Sequence, residues 1–295
     1  DMLVGLPGET YDSFADGVDQ VISEGQNHLI QFFNVYILPN AELAQPAYRK
    51  EFGIRTVRLP YSEPLFPLTM EVQEWHEMVI GTSDLNPEDW RKVRVFAWWV
   101  EILYLHRKIM QIPLLILNQF TGIRFRDIFE FYVMGKFKNT PLLHDLNQFL
   151  HNKARAIQDG EIEFCALTTE TESHWLTIPE FVFTGLREPQ VAEVFYQDQL
   201  SALQQILTEH KHPVAAGLLN EILTLSRLLF VNYYTHQNFE VTLNSNFWEV
   251  YKALLQGEKQ EIIPEKALYQ FRWTGPPHFD ISFKKHLLPA HQKYL

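Results

Sequence analysis

Residues 1–10 read DMLVGLPGET, and this stretch decides the fold class. Met2-Leu3-Val4 is a short apolar run of the kind that forms a buried strand. Gly5-Leu6-Pro7-Gly8 interrupts it, and Glu9-Thr10 opens a helical pattern. Glycine at the fifth and eighth positions tolerates positive φ and close approach of another group, while Pro7 stiffens the turn between them. A strand, a glycine turn and a helix in succession present backbone N–H groups at the end of a parallel sheet.

Working outward, Thr10 is placed to cap a helix, with Asp12 in its first turn. Phe14, Val18, Val21 and Ile22 share one helical face, and Gly25 is a stop signal. Leu29 to Leu38 is almost continuously apolar and ends at Pro39-Asn40, which predicts a second strand covered on both faces. Residues 2–38 therefore read as one β-loop-α-β unit.

GLPGET before a helix, followed by a strand ending in Leu38-Pro39-Asn40, resembles the closing part of a radical S-adenosylmethionine (SAM) domain, in particular the cobalamin-binding type. The resemblance covers about the first sixty residues. It implies an α/β fold: the last two parallel strands of a partial (βα)6 barrel, followed by a mainly α-helical C-terminal region with a few short strands. It implies that Gly5, Leu6, Pro7, Gly8 and Glu9 form the fifth-strand turn against SAM. Val35, Leu38, Pro39 and Asn40 would belong to the sixth strand, near the nucleoside. The cofactors implied are SAM and a [4Fe–4S] cluster, with cobalamin in the methyltransferase type. The activity implied is that of an Fe–S oxidoreductase or methyltransferase on a small-molecule or peptide substrate.

One departure is large. Such a cluster takes three closely spaced cysteines, and this chain has one, Cys165. The expectation is a fragment, inactive alone, whose cluster ligands lie in a missing N-terminal half of the same protein. A non-catalytic module that docks a partner or peptide on a barrel remnant is the alternative.

Composition narrows the class. The 295 residues carry 22 Phe, 12 Tyr and 7 Trp, enough to bury a large core. A net charge of −11 argues against nucleic acid and against an anionic membrane surface as partners. No apolar run reaches bilayer-spanning length. A single cysteine fits a reducing cytoplasm.

Along the chain, the division expected is barrel end 1–53, linker 54–68, helical domain 69–160 and a mixed, mainly helical region 161–295. Thr69 to Gly81 shows helical spacing through Val72, Trp75, Met78 and Val79. Asn86-Pro87-Glu88-Asp89 is a strong helix start, predicting a helix to about Gln111. Further helices are expected at 113–120, 124–134, 141–158, 179–184, 189–210, 213–229 and 247–255, with strands near 162–167, 232–243 and 266–273. Arg49, Arg55 and Arg58 suggest an anion contact or else solvated or ion-paired surface arginines. His76 and His106 read as core or rim histidines, Cys165 as a structural thiol, and Glu161/Glu163 as solvated.

Overall fold

The computed structural model describes residues 1–61, 74–168, 173–212, 214, 216–273 and 281–287. Residues 69–73 of the predicted helix and 62–68 of the predicted linker lie outside them.

β1 (Met2–Val4) and β2 (Phe32–Asn34) pair in parallel, with Met2 opposite Phe32 and Val4 opposite Asn34. α1 (Tyr11–Ser23) connects them. It begins with a reciprocal capping box, in which Ser13 N donates to Thr10 Oγ1 at 3.1 Å and Thr10 N to Ser13 Oγ at 2.9 Å. Its Phe14 packs on Phe32, with ring centroids 5.8 Å apart. The pair is covered on one face only: Val4, Phe32 and Asn34 are buried, whereas Leu3 and Phe33 are 43% and 45% exposed.

The predicted strand 29–38 is split in two. β3 (Tyr36–Ile37) leaves β2 at Val35 and pairs antiparallel with β5 (Trp75–Gly81), which pairs on its other side with β4 (Arg55–Pro60). Val35 is the joint. Its N–H donates to Val4 O at 3.1 Å, and its carbonyl accepts from Val79 N at 2.8 Å. Between β3 and β4 lie a 3₁₀ turn (Glu42–Ala44) and α2 (Pro46–Glu51).

Two readings are corrected here. Residues 75–81 form a strand rather than the end of a helix, and residues 55–60 of the predicted linker are its partner. Trp75, Met78 and Val79 fit helical spacing, but they also suit a strand. Pairing with two neighbours satisfies the backbone of β5 and overrides the local pattern.

α3 (Pro87–Val100) starts as predicted, with Asn86 Oδ1 accepting from Glu88 N and Asp89 N at 2.9 and 3.1 Å. It ends sooner than expected, in a π-helical turn (Glu101–Leu105), and Lys108 takes a φ of 53°. Pro113 lies in the first turn of the next helix, α4 (Gln111–Thr121), where its missing N–H is tolerated. α5 (Phe125–Val133), α6 (Pro141–Gln158), β6 (Cys165–Thr168), β7 (Ser173–Leu176), α7 (Ile178–Leu186), α8 (Pro189–Glu209) and α9 (Ala216–Thr235) follow. The chain continues with β8 (Phe239–Ser245), α10 (Phe247–Leu255), β9 (Pro264–Trp273) and β10 (Ile281–Leu287).

The result is a mixed α/β chain in two units. The first comprises Asp1–His106, Arg124–Phe137 and Pro141–Gly185; the second comprises Arg107–Ile123, Lys138–Thr140 and Leu186–Leu295. In the first, α3 is the central element. Trp90, Phe96, Trp98 and Trp99 are buried on it, and Trp99 Nε1 donates to Asn147 Oδ1 of α6 at 3.0 Å. Arg126 of α5 pairs with Asp12 and Asp16 of α1. In the second unit an antiparallel sheet of order β10-β9-β8 accompanies α4, α8, α9 and α10. No helix among the described residues is long and apolar enough to cross a membrane.

Candidate functional site at the carboxyl end of the parallel pair

Residues 5–9 leave β1 at the carboxyl end of the parallel pair, where α/β sheets bind ligands. Gly5 is buried with a φ of 103°, and a Cβ there would lie 3.3 Å from Val79 Cγ1. Glycine is needed at this position for both conformation and space. Glu9 N donates to Leu6 O at 3.3 Å and closes the turn. Gly8 has a φ of 82°, and a Cβ there would meet nothing within 4 Å. The backbone at Gly8 therefore stays open to an approaching group. Leu6 is exposed and Pro7 partly buried.

Glu9 is the chemically unusual member. Its Oε2 is buried with no hydrogen-bond partner among the described residues. Desolvation pushes its carboxyl up from 4.5 to about 7. A carboxyl oxygen buried without a donor can accept a hydrogen bond from a group such as a hydroxyl or an ammonium.

The other predicted residues divide. Val35 is brought beside the turn, but its side chain packs with Ile37 and Val79. Leu38 is 66% exposed. Ala41 N donates to Leu38 O at 2.9 Å, so Leu38, Pro39 and Asn40 form an exposed turn, also beyond the carboxyl end of β2.

Sequence reasoning missed Asn34 and Glu163. Asn34 ends β2, is 6% exposed, and donates from Nδ2 to Glu163 Oε1. Its Oδ1 is buried without a partner among the described residues. Glu163 is therefore not the solvated acid its neighbourhood in sequence suggests. Desolvation raises its carboxyl to about 7, against the lowering effect of the Asn34 hydrogen bond. The two residues lie 129 positions apart, and no local signal pairs them.

Of the three arginines singled out, one is ion-paired among the described residues. Arg49 pairs with Glu77 and donates to Thr56 Oγ1 at 2.8 Å, and Arg58 lies over the Trp75 ring at 5.2 Å. His76 stacks on Tyr36 with centroids 4.2 Å apart. Cys165 is buried and its thiol is pushed up by burial, as suits a structural role. Among the described residues no three His, Cys, Asp or Glu side chains are grouped to hold a metal ion. With one cysteine in the sequence, the residues of this chain do not fit a [4Fe–4S] cluster.

No protein-family model matches the chain. Over 108 residues it is 32% identical to the cobalamin-dependent radical SAM methyltransferase TokK of Streptomyces tokunonensis, an alignment covering 36% of this chain. It is likewise 32% identical over 108 residues to the 2-(S-pantetheinyl)-carbapenam-3-carboxylate methyltransferase of Streptantibioticus cattleyicolor, again over 36% of this chain. The matched segment spans 15% of the length of each relative, so the likeness to these two methyltransferases is regional.

Proposed function

We propose that this chain is part of a radical SAM methyltransferase, and that it supplies one wall of the SAM site. The observation that carries the reading is the parallel β1–β2 pair with GLPGET at its carboxyl end and one apolar face, Leu3 and Phe33, left uncovered. Parallel strands are normally covered on both faces and flanked by further strands. An exposed face here fits the interior of a larger barrel, of which β1 and β2 would be the last two strands. The regional similarity to one enzyme named as a radical SAM methyltransferase and to a second named as a methyltransferase supports the same reading.

On this reading SAM lies against residues 5–9, and it supplies the methyl-transfer chemistry when bound. Gly8 lets the nucleoside approach the backbone, and the Glu9 carboxyl accepts from a donor of the ligand. Leu6 and Leu38 contribute apolar contact. Pro7, Pro39 and Asn40 hold the two turns in place, while Val35 fixes the strand from behind. The cluster would be held by residues outside this chain, since its own do not fit it. Cobalamin is expected from the relatives' chemistry, and no residue here is assigned to it. The region after residue 53 is assigned substrate selection, and the fragment by itself is expected to be inactive. The cell compartment proposed is the cytoplasm.

The test starts with the reading frame that encodes this chain. A C-x3-C-x2-C run upstream supports the enzyme; its absence supports the docking module. The protein made from the whole frame is then reconstituted anaerobically with iron and sulfide and incubated with SAM and a reductant. Formation of S-adenosylhomocysteine or 5′-deoxyadenosine is expected, with at least a tenfold loss in Gly8→Val. Absence of both products from a cluster-loaded protein would overturn the reading.

A further inference from the structure

The second unit contains a cavity of about 330 Å³ that opens to the surface. Ile116, Leu117 and Phe120 of α4, Leu207 of α8, and Leu219 and Ile222 of α9 form most of its wall. We propose that this cavity binds the unbranched aliphatic tail of a small amphiphile, about eight to ten carbons long, whose polar head stays in water. The proposal is independent of the site on the first unit.

The wall decides the ligand's chemistry. Among the described residues its one polar side chain is Thr121, and that hydroxyl already makes two hydrogen bonds. It donates to Leu117 O at 2.7 Å and accepts from Ile123 N at 3.2 Å. Water needs two to four polar partners to stay in such a space, and this wall is almost wholly apolar. A heterocycle would bury a nitrogen with nothing to pair it. Left empty, the wall forfeits dispersion contacts on every side. An alkyl chain satisfies the wall and asks for no hydrogen bond.

Size selects the length. The volume is about twice the ~150 Å³ of a cavity that takes up benzene, so a single ring leaves much of it unfilled. At roughly the ~30 Å³ that a water molecule occupies in the liquid, the space holds on the order of ten methylene groups. Phe120, 45% exposed, marks where the wall meets solvent and where the tail must end in a hydrated head.

The experiment is calorimetric titration of the whole chain with alkanoates of six to fourteen carbons below their micelle concentrations. Affinity should rise roughly fourfold per methylene and stop rising near ten carbons, at one site per chain. A series that keeps rising to fourteen carbons, more than one site, or no binding at any length would overturn the proposal. Alkanols and alkylammonium ions of the same length should bind within about threefold of the alkanoate; a thirtyfold preference among heads would refute a solvated head. Naphthalene binding more tightly than decanoate would refute the straight chain. Leu219→Trp fills the cavity and should cost at least thirtyfold in affinity. Ile116→Phe, on a different helix, tests the same space if the first variant does not fold. Wild-type affinity in a folded variant of either kind would overturn the assignment.

Discussion

Replacing Glu9 by Gln should stabilise this protein in a way that depends on pH. Burial raises the Glu9 carboxyl from 4.5 to about 7, so the folded state disfavours its ionised form. Below 4.5 the group is protonated in both folded and unfolded chains, and no penalty exists. As pH rises from 4.5 to 7 the unfolded chain ionises first, and folding stability falls; above 7 the loss is complete and constant. At about 1.4 kcal/mol per pH unit the full shift is worth about 3 kcal/mol. The side chain keeps some contact with water, and glutamine carries an unpaired amide of its own, so about 2 kcal/mol should be recovered. Urea unfolding followed by tryptophan fluorescence at pH 4.5, 5.5, 6.5 and 8 measures it, with the exposed Glu51→Gln as control. The variant should match the parent at pH 4.5 and exceed it by about 2 kcal/mol at pH 8. A difference that is flat across this range, or a less stable variant at pH 8, would refute the argument.

Three further outcomes are expected. His106 lies between Glu101 at 3.5 Å and Glu180 at 3.9 Å, and burial lowers its pKa less than these carboxylates raise it, to about 9. Its contribution is complete below 6.5 and lost as pH climbs through 9, so His106→Gln should cost about 2 kcal/mol at pH 6 and little at pH 10 by urea titration. Gly5→Ala should destabilise by about 2–3 kcal/mol and Gly8→Ala by about 1 kcal/mol, since both pay for positive φ but only the first meets Val79; equal losses would contradict the packing. Asn147→Leu strands the buried Trp99 indole N–H and should cost about 1–3 kcal/mol, seen as a lower urea midpoint.

Local chemistry was legible from the residues. Thr10 before Ser13, Asn86 before Pro87, and Gly25 after Ile22 each fix a helix end by contacts within one turn, so a short window carries the whole cause. The parallel relation of β1 and β2 follows from a single connecting helix, because a crossover of that length returns the chain in the same direction. Residues 75–81 were not legible. Their side chains suit a helix as well as a strand, and the choice rests on Tyr36 and Arg58, which lie opposite Met78 and Glu77 only after folding.

The sequence by itself determined the β-loop-α-β opening, the glycine turn at residues 5–8 and most helix starts, because each rests on steric limits and hydrogen bonds between near neighbours. Tertiary structure alone decided that Val35 serves the core, that Asn34 holds Glu163, that one carboxyl oxygen of Glu9 is buried without a partner among the described residues, and that α4, α8 and α9 leave a cavity. Burial and long-range pairing are properties of surfaces brought together. A residue's pKa or free hydrogen-bonding capacity is set by what those surfaces exclude, and that is chiefly water.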